Sequence, residues 1–300
     1  MQYHLLLPLL ILLIPFLLQN LSFLFNSKVP SSSSLSHKCN PHEKPHLLKI
    51  KNELGNPPQL SSWNPNTDCC EEWVGIVCSF HRERDILCNT GDHEFYAVNI
   101  LNLSNLDLPE PLPIPPSITG FLSLNTLSFD HIPNLIGSIP PSFAALTNLE
   151  HLFIKYTNIS GEIPNALSEM KSLVGITLIN NKLTGTLPDT LPSLPNLRGI
   201  VFNNNQLTGS IPESYGSFPN SFTVLSLAHN RLSGKIPASL AKLNLTVVHL
   251  SWNELEGDPS VFFGSAKRTE YMLLERNLFT FDIGIADLPK NLKLLRMNQR

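Results

Sequence analysis

Six glycines set the period of this chain. Gly137, Gly161, Gly185, Gly209, Gly234 and Gly257 fall 24, 24, 24, 25 and 23 residues apart. The phrases around them repeat as well, so that NNKLTGTLPDTL from Asn180 returns as NNNQLTGSIPES from Asn203. A fixed period of that length belongs to stacked repeats, in which each unit leans on its neighbours. The unit reads LxxLxLxxNxLxGxIPxxL. Its clearest copies begin at Leu173, Leu197 and Val224, weaker ones near Val98, Leu124, Leu149, Thr246 and Thr269, and a truncated ninth at Leu292.

Each part of the unit has a physical task. The LxL core, such as Ile176–Thr177–Leu178, alternates inward and outward side chains, as a strand with one buried face must. The asparagine that follows (Asn181, Asn205, Asn230, Asn253, Asn277) carries a two-donor amide and an acceptor. Turned inward and stacked, these amides predict a ladder that satisfies backbone groups a turn would leave unpaired. Glycine permits the tight turn, and proline stiffens the returning outer segment. Five or six apolar side chains per unit are available for burial, at about 1.5–3 kcal/mol each before entropy. The pattern predicts an α/β solenoid: a right-handed leucine-rich-repeat superhelix with a concave parallel β-sheet and irregular or 3₁₀ outer segments.

The flanks are different in kind. Residues 1–36 hold an apolar run with no charged side chain before Lys28, followed by the small cluster Ser31–Ser34. This reads as a signal peptide and cleavage region, with Pro8, Pro15, Gln19 and Asn20 against a permanent membrane anchor. Cys39, Cys69, Cys70, Cys78 and Cys88 all lie in the next block, residues 37–96. In an oxidising compartment they predict a disulfide-stapled cap with one thiol left over. Zinc is the alternative for Cys78, His81, Cys88 and His93, or for Cys39 with His42 and His46, but those spacings match no familiar zinc pattern. No metal and no cofactor is expected. Net charge of −3 with 15% charged residues gives no reason to expect nucleic-acid binding. No nucleophile elbow, HExxH or phosphate loop occurs, and SEMK at Ser168 falls in an outer segment, so no enzyme is expected.

The cap phrase CNPHEKPHLLKIKNELGNPPQLSSWNPNTDCCEEWVGIVC, with LNLSNLDLPEPLPIPPSI, IPESYGSFPN and LEGDPSVFFGSAKRTE, resembles the plant polygalacturonase-inhibiting proteins. The resemblance runs from about Cys39 to Arg300. It implies Cys39–Cys69 and Cys70–Cys78 disulfides and a short cap helix bearing Leu47, Leu48, Ile50 and Leu54, whose spacing is helical by itself. Three departures stand out. Residues 79–95 make a longer loop and bring the unassigned Cys88. Pro45 is expected to move the start of the helix one turn along. The family's tenth repeat and cysteine-rich C-terminal cap have no counterpart in residues 97–300, which predicts exposed core side chains around Leu292, Leu295 and Met297.

The resemblance implies a secreted, cell-wall defence protein whose concave face plugs the cleft of a fungal endopolygalacturonase. Alternation places the outward residues of that face. They include Asp130 and His131; His151, Phe153, Lys155 and Tyr156; Thr177, Ile179 and Asn180; Val201, Asn203 and Asn204. Further along come Ser226 and His229; His249, Ser251 and Trp252; Glu270, Leu273, Glu275 and Arg276; then Arg296. Phe153, Ile179, Val201 and Leu273, beside Tyr156 and Trp252, are expected as the exposed apolar centre of a recognition surface. Lys155, Arg198, Arg276, Lys293, Arg296 and protonated histidines are expected to meet acidic groups, pectin among them. The sequons at Asn102, Asn158 and Asn244 are candidate glycosylation sites, with Asn20 leaving with the signal segment. Asn102 sits at an outward position of the first strand, where a glycan obstructs that end of the face. A receptor-like or developmental binding module, or a truncated inactive homologue of the inhibitor, is the alternative function; rows of Thr suited to ice are not apparent.

Overall fold

The computed structural model describes residues 39–80, 96–280 and 287–297. The export segment, Asn20, Cys88 and residues 81–95 of the long loop lie outside the described residues. Each repeat contributes one strand to a single ten-stranded sheet. The first strand, Ile76–Phe80 of the cap, pairs antiparallel with Tyr96–Ser104; every later pairing in that sheet is parallel. The parallel order follows the chain through Thr126–Ile132, His151–Thr157, Gly175–Ile179, Gly199–Val201, Val224–Ser226, Val247–His249, Tyr271–Leu273 and Leu294–Arg296. The inward LxL pairs, among them Leu152/Ile154, Ile176/Leu178, Ile200/Phe202, Leu225/Leu227 and Val248/Leu250, are buried in one continuous core. This is a leucine-rich-repeat solenoid.

The expected amide ladder forms. Asn205 Nδ2 donates to the carbonyls of Leu178 and Phe202, and its Oδ1 accepts the Leu183 N–H. Asn230, Asn253 and Asn277 repeat this with Leu207, Leu232 and Leu255 as the N–H donors. Thr157 closes the ladder on the cap side: its hydroxyl donates to Asn181 Oδ1 and accepts the Ile159 N–H. The repeat pattern gives no sign of this role for Thr157, because a threonine there departs from the asparagine of the other units.

Outside the ladder the glycines of the repeat all take left-handed φ, from 76° to 83°. A Cβ at Gly185 would lie 2.6 Å from Glu162 Cγ, so conformation and close approach both require glycine there. The outer segments are not wholly irregular. Short parallel strands Thr208–Gly209, Arg231–Lys235, Glu254–Gly257 and Leu278–Phe279 form a second sheet, with two-stranded ladders before it. Pro140, Pro164, Pro212 and Pro237 then cap 3₁₀ turns along the convex side, entering them with extended backbone.

At the cap, disulfides join Cys39 to Cys69 and Cys70 to Cys78. The helix spans Glu43–Glu53 and buries Leu47 and Ile50. The expected shift caused by Pro45 does not occur, because the proline falls in the first turn, where its missing N–H would have had no intrahelical partner. Glu43, buried, accepts the Val98 N–H at 2.7 Å and ties the helix to the first repeat. Trp63 and Trp73 stack beneath it with centroids 5.4 Å apart. Leu292, Leu295 and Met297 are half-buried and pack against the core.

Candidate functional site

The outward residues form rows, because the strands are in register. The central row runs Asn102, Ser128, Phe153, Thr177, Val201, Ser226, His249, Leu273 and Arg296, each paired with the next. Phe153, Thr177, Val201 and Arg296 are half-exposed. Leu273 is a correction to the expected exposed apolar centre: only 1% of it is accessible. It sits between His249 and Arg296 on the flanking strands, and longer neighbours cover a shorter side chain on a curved sheet. Ile179, Ser226 and His249 are buried as well. Ser226 Oγ also donates to Asn203 Oδ1 at 2.9 Å, and His249 Nε2 lies 2.7 Å from Ser251 Oγ.

A second row stands beside the first. His131, Tyr156, Asn180, Asn204, His229, Trp252 and Arg276 all adopt φ between 53° and 59°. This conformation resets the alternation by one residue. Two consecutive side chains, such as Lys155 and Tyr156, therefore face outward, and the next, Thr157, turns in. Asparagine tolerates this backbone; tyrosine, tryptophan and arginine do so at a cost. Here the costly residues stack. The rings of His131 and Tyr156 lie 4.2 Å apart, those of His229 and Trp252 5.1 Å, and the Arg276 guanidinium covers Trp252 at 5.0 Å. Tyr156 and Trp252 remain 44% and 47% exposed. All these residues were expected to face outward; the stacking depends on three-dimensional register.

Some of the charges on this face are matched within the chain. Lys155 pairs with Asp130 at 2.7 Å, and Asp130 with His131 Nδ1 at 2.7 Å. Lys293 pairs with Glu270 at 2.7 Å. Two of the cations expected to await an acidic ligand are thus already engaged. The expected gain of histidine charge is also corrected. Burial lowers the pKa of His151 and His229, and holds His249 at about 4, with the charges of His229 and Arg296 adding to the effect. Burial raises the pKa of Glu275, whose Oε2 has no hydrogen-bond partner among the described residues. His151 rests against Gly175 and stacks loosely on Phe153, 6.0 Å between centroids. The face therefore sets exposed apolar and aromatic side chains among small polar ones, with part of its charge paired within the chain.

Residues 40–79 match the family model for the leucine rich repeat N-terminal domain, and 148–170 and 221–243 match the leucine rich repeat. Over 274 residues, 91% of this chain and 77% of the relative, the sequence is 50% identical to polygalacturonase inhibitor 1 of Phaseolus vulgaris. The chain belongs to the polygalacturonase-inhibitor family. A further relative is the leucine-rich repeat protein FLOR 1 of Arabidopsis thaliana, 46% identical over 88% of this chain and 76% of its own length. Among solved structures, a plant ice-binding protein superposes with a TM-score of 0.75 at 32% identity, covering 87% of this chain and 79% of that one. The PEPR1–AtPEP1 structure gives 0.60 at 27% identity, over 79% of this chain and 32% of that one. An inhibitor family acts by binding, and the protein is not an enzyme. No helix among the described residues is long and apolar enough to cross a membrane.

Proposed function

We propose that the protein is exported to the plant cell wall and there binds and inhibits fungal endopolygalacturonases through its concave face. The observation that carries this reading is the pair of strained, stacked and exposed aromatic clusters flanking the Phe153–Val201 stripe. Aromatic anchors on a rigid sheet, with few free charges between them, have the make-up of a protein-recognition core. The expected contacts are Phe153, Tyr156, Thr177, Val201, Asn203 and Trp252, with His131, His151, His229, Glu270 and Arg276 around them. Ile179, Ser226, His249 and Leu273 support these from below. Pectin is a weaker ligand for this face, since Lys155 and Lys293 already hold carboxylates.

The test is a titration of the exported protein against a panel of fungal endopolygalacturonases, following release of reducing ends. Saturable inhibition near stoichiometric ratios is expected; a folded monomer that inhibits none of them contradicts the proposal. A second reading, recognition of another plant protein or peptide, is favoured by the likeness, at 26% identity and a TM-score of 0.60, to the HAESA LRR ectodomain in complex with a peptide hormone ligand. Binding to plant extracellular peptides without polygalacturonase inhibition would select it.

A further inference from the structure

We propose that Asn102 is N-glycosylated, and that its oligosaccharide stands on the concave sheet and closes the cap-side end of that face. The consequence for a partner rests on the inhibitor function proposed above; the modification itself does not.

The acceptor triplet is Asn102–Leu103–Ser104, at the end of the strand Tyr96–Ser104. Leu101 and Leu103 are fully buried, so Asn102 between them projects outward, and it is half-exposed. Little stands over it. On the repeat side it pairs with Ser128, whose side chain is short. On the cap side its N–H donates to the Gly75 carbonyl at 2.8 Å. Gly75 has φ 81°, and a Cβ there would lie 2.1 Å from the Asn102 carbonyl oxygen. Glycine is therefore required beside Asn102, and no side chain shields the amide from that direction. Among the described residues no hydrogen bond holds the Asn102 side chain.

The other two described sequons point elsewhere. Asn158 follows the left-handed row and donates its amide to the Pro133 carbonyl at 2.6 Å. Asn244 is exposed just after the convex 3₁₀ turn Ala238–Lys242. Of the three, Asn102 alone lies on the ten-stranded sheet.

Attachment joins Asn102 Nδ2 to the anomeric carbon of an oligosaccharide carried on a lipid pyrophosphate. The bond from that carbon to the pyrophosphate oxygen breaks, the lipid pyrophosphate leaves with the electron pair, and one amide proton is released. The donor and its transferase belong to the secretory route. Asn102 is two strand steps from Phe153 through Ser128, about 10 Å. A bulky, hydrated glycan at that site covers Ser128 and the exposed Val77 of the cap strand and crowds Phe153. A protein partner is then kept off Val77 and Ser128 at the cap-side end and takes the face from Phe153 to Trp252 and Arg276, with less room at Phe153.

The full chain secreted from plant cells is the material for the test. Peptide mass spectrometry reads occupancy at Asn102, and hydroxyl-radical labelling reads the exposure of Val77, Phe153 and Trp252. We expect the peptide to carry a glycan mass in the wild type. In Ser104→Ala, which removes the acceptor hydroxyl and keeps the asparagine, that mass is expected to vanish. Labelling of Val77 and Phe153 is then expected to rise several-fold, with Trp252 unchanged. A bare Asn102 in the secreted wild type overturns the proposal without recourse to any variant. Equal labelling in a folded Ser104→Ala overturns the shielding. In a parallel titration the variant is expected to bind a polygalacturonase several-fold more tightly. If neither protein binds one, the inhibitor function fails, while occupancy and labelling still decide the glycan.

Discussion

Tyr156 and Trp252 show what a single residue contributes here. Each occupies a left-handed backbone that asparagine fills at less cost in the same row, at Asn180 and Asn204. Replacing Tyr156 by Ala or by Asn removes the same stack on His131, so the two variants differ chiefly in backbone strain. The Asn variant is expected to be the more stable by about 0.5–1 kcal/mol in denaturant unfolding. Equal stabilities would mean that the row stores no strain. His249 makes the second residue-scale prediction. Its pKa is about 4 in the folded protein against an ordinary 6.5, so the unfolded chain binds the proton more tightly. Its contribution to stability is full above pH 6.5 and declines as the pH falls towards 4. At its limit the loss is about 3 kcal/mol. The groups facing it, His229, Ser251 and Arg296, add no acid that reverses the sign. His249→Gln is expected to flatten the unfolding profile between those pH values; an unchanged profile would contradict the assignment.

At the scale of the element, the asparagine ladder explains why a strand of three residues is enough. Asn205 donates to three carbonyls, that of Leu178 in the preceding repeat and those of Phe202 and Asn203 in its own, and accepts one buried N–H. Asn205→Ala removes these bonds, and a loss of about 2–4 kcal/mol is expected from chemical unfolding. Much of this was legible in the sequence. The glycine period, the LxL alternation and the inward asparagine determine the repeat, and the cap phrase led to the two disulfides. Burial on the concave face was less legible. Alternation says that Leu273 and His249 leave the core, yet only the register of their neighbours reveals that they are covered again. The Lys155–Asp130 and Lys293–Glu270 pairs join residues 25 and 23 positions apart, too remote for a local pattern to link. The second sheet is not legible in the sequence because its strands are only two to five residues long and most run through the turn glycine, where alternation is broken.

For the whole molecule, stacking makes stability a sum of repeats and their nearest-neighbour contacts. Asn205 and Asn230 both donate to the Phe202 carbonyl, so their alanine variants are expected to be non-additive by at least about 0.5 kcal/mol. Asn181 and Asn277 share no partner and are expected to be additive. The same regularity gives the concave face its rigidity, since no recognition residue depends on a long loop. The central claim is that this face does the inhibiting. The direct measurement is inhibition of a responsive fungal endopolygalacturonase by Phe153→Ala, Val201→Ala and Trp252→Ala. Arg231→Ala on the second sheet and Lys242→Ala on the convex side serve as controls. The inhibition constant is expected to rise about 10-fold or more for each concave variant, as for buried anchors of a protein interface, and to stay near wild type for both controls. Undiminished inhibition by all three concave variants, or its loss on substituting Arg231 or Lys242, would contradict the claim.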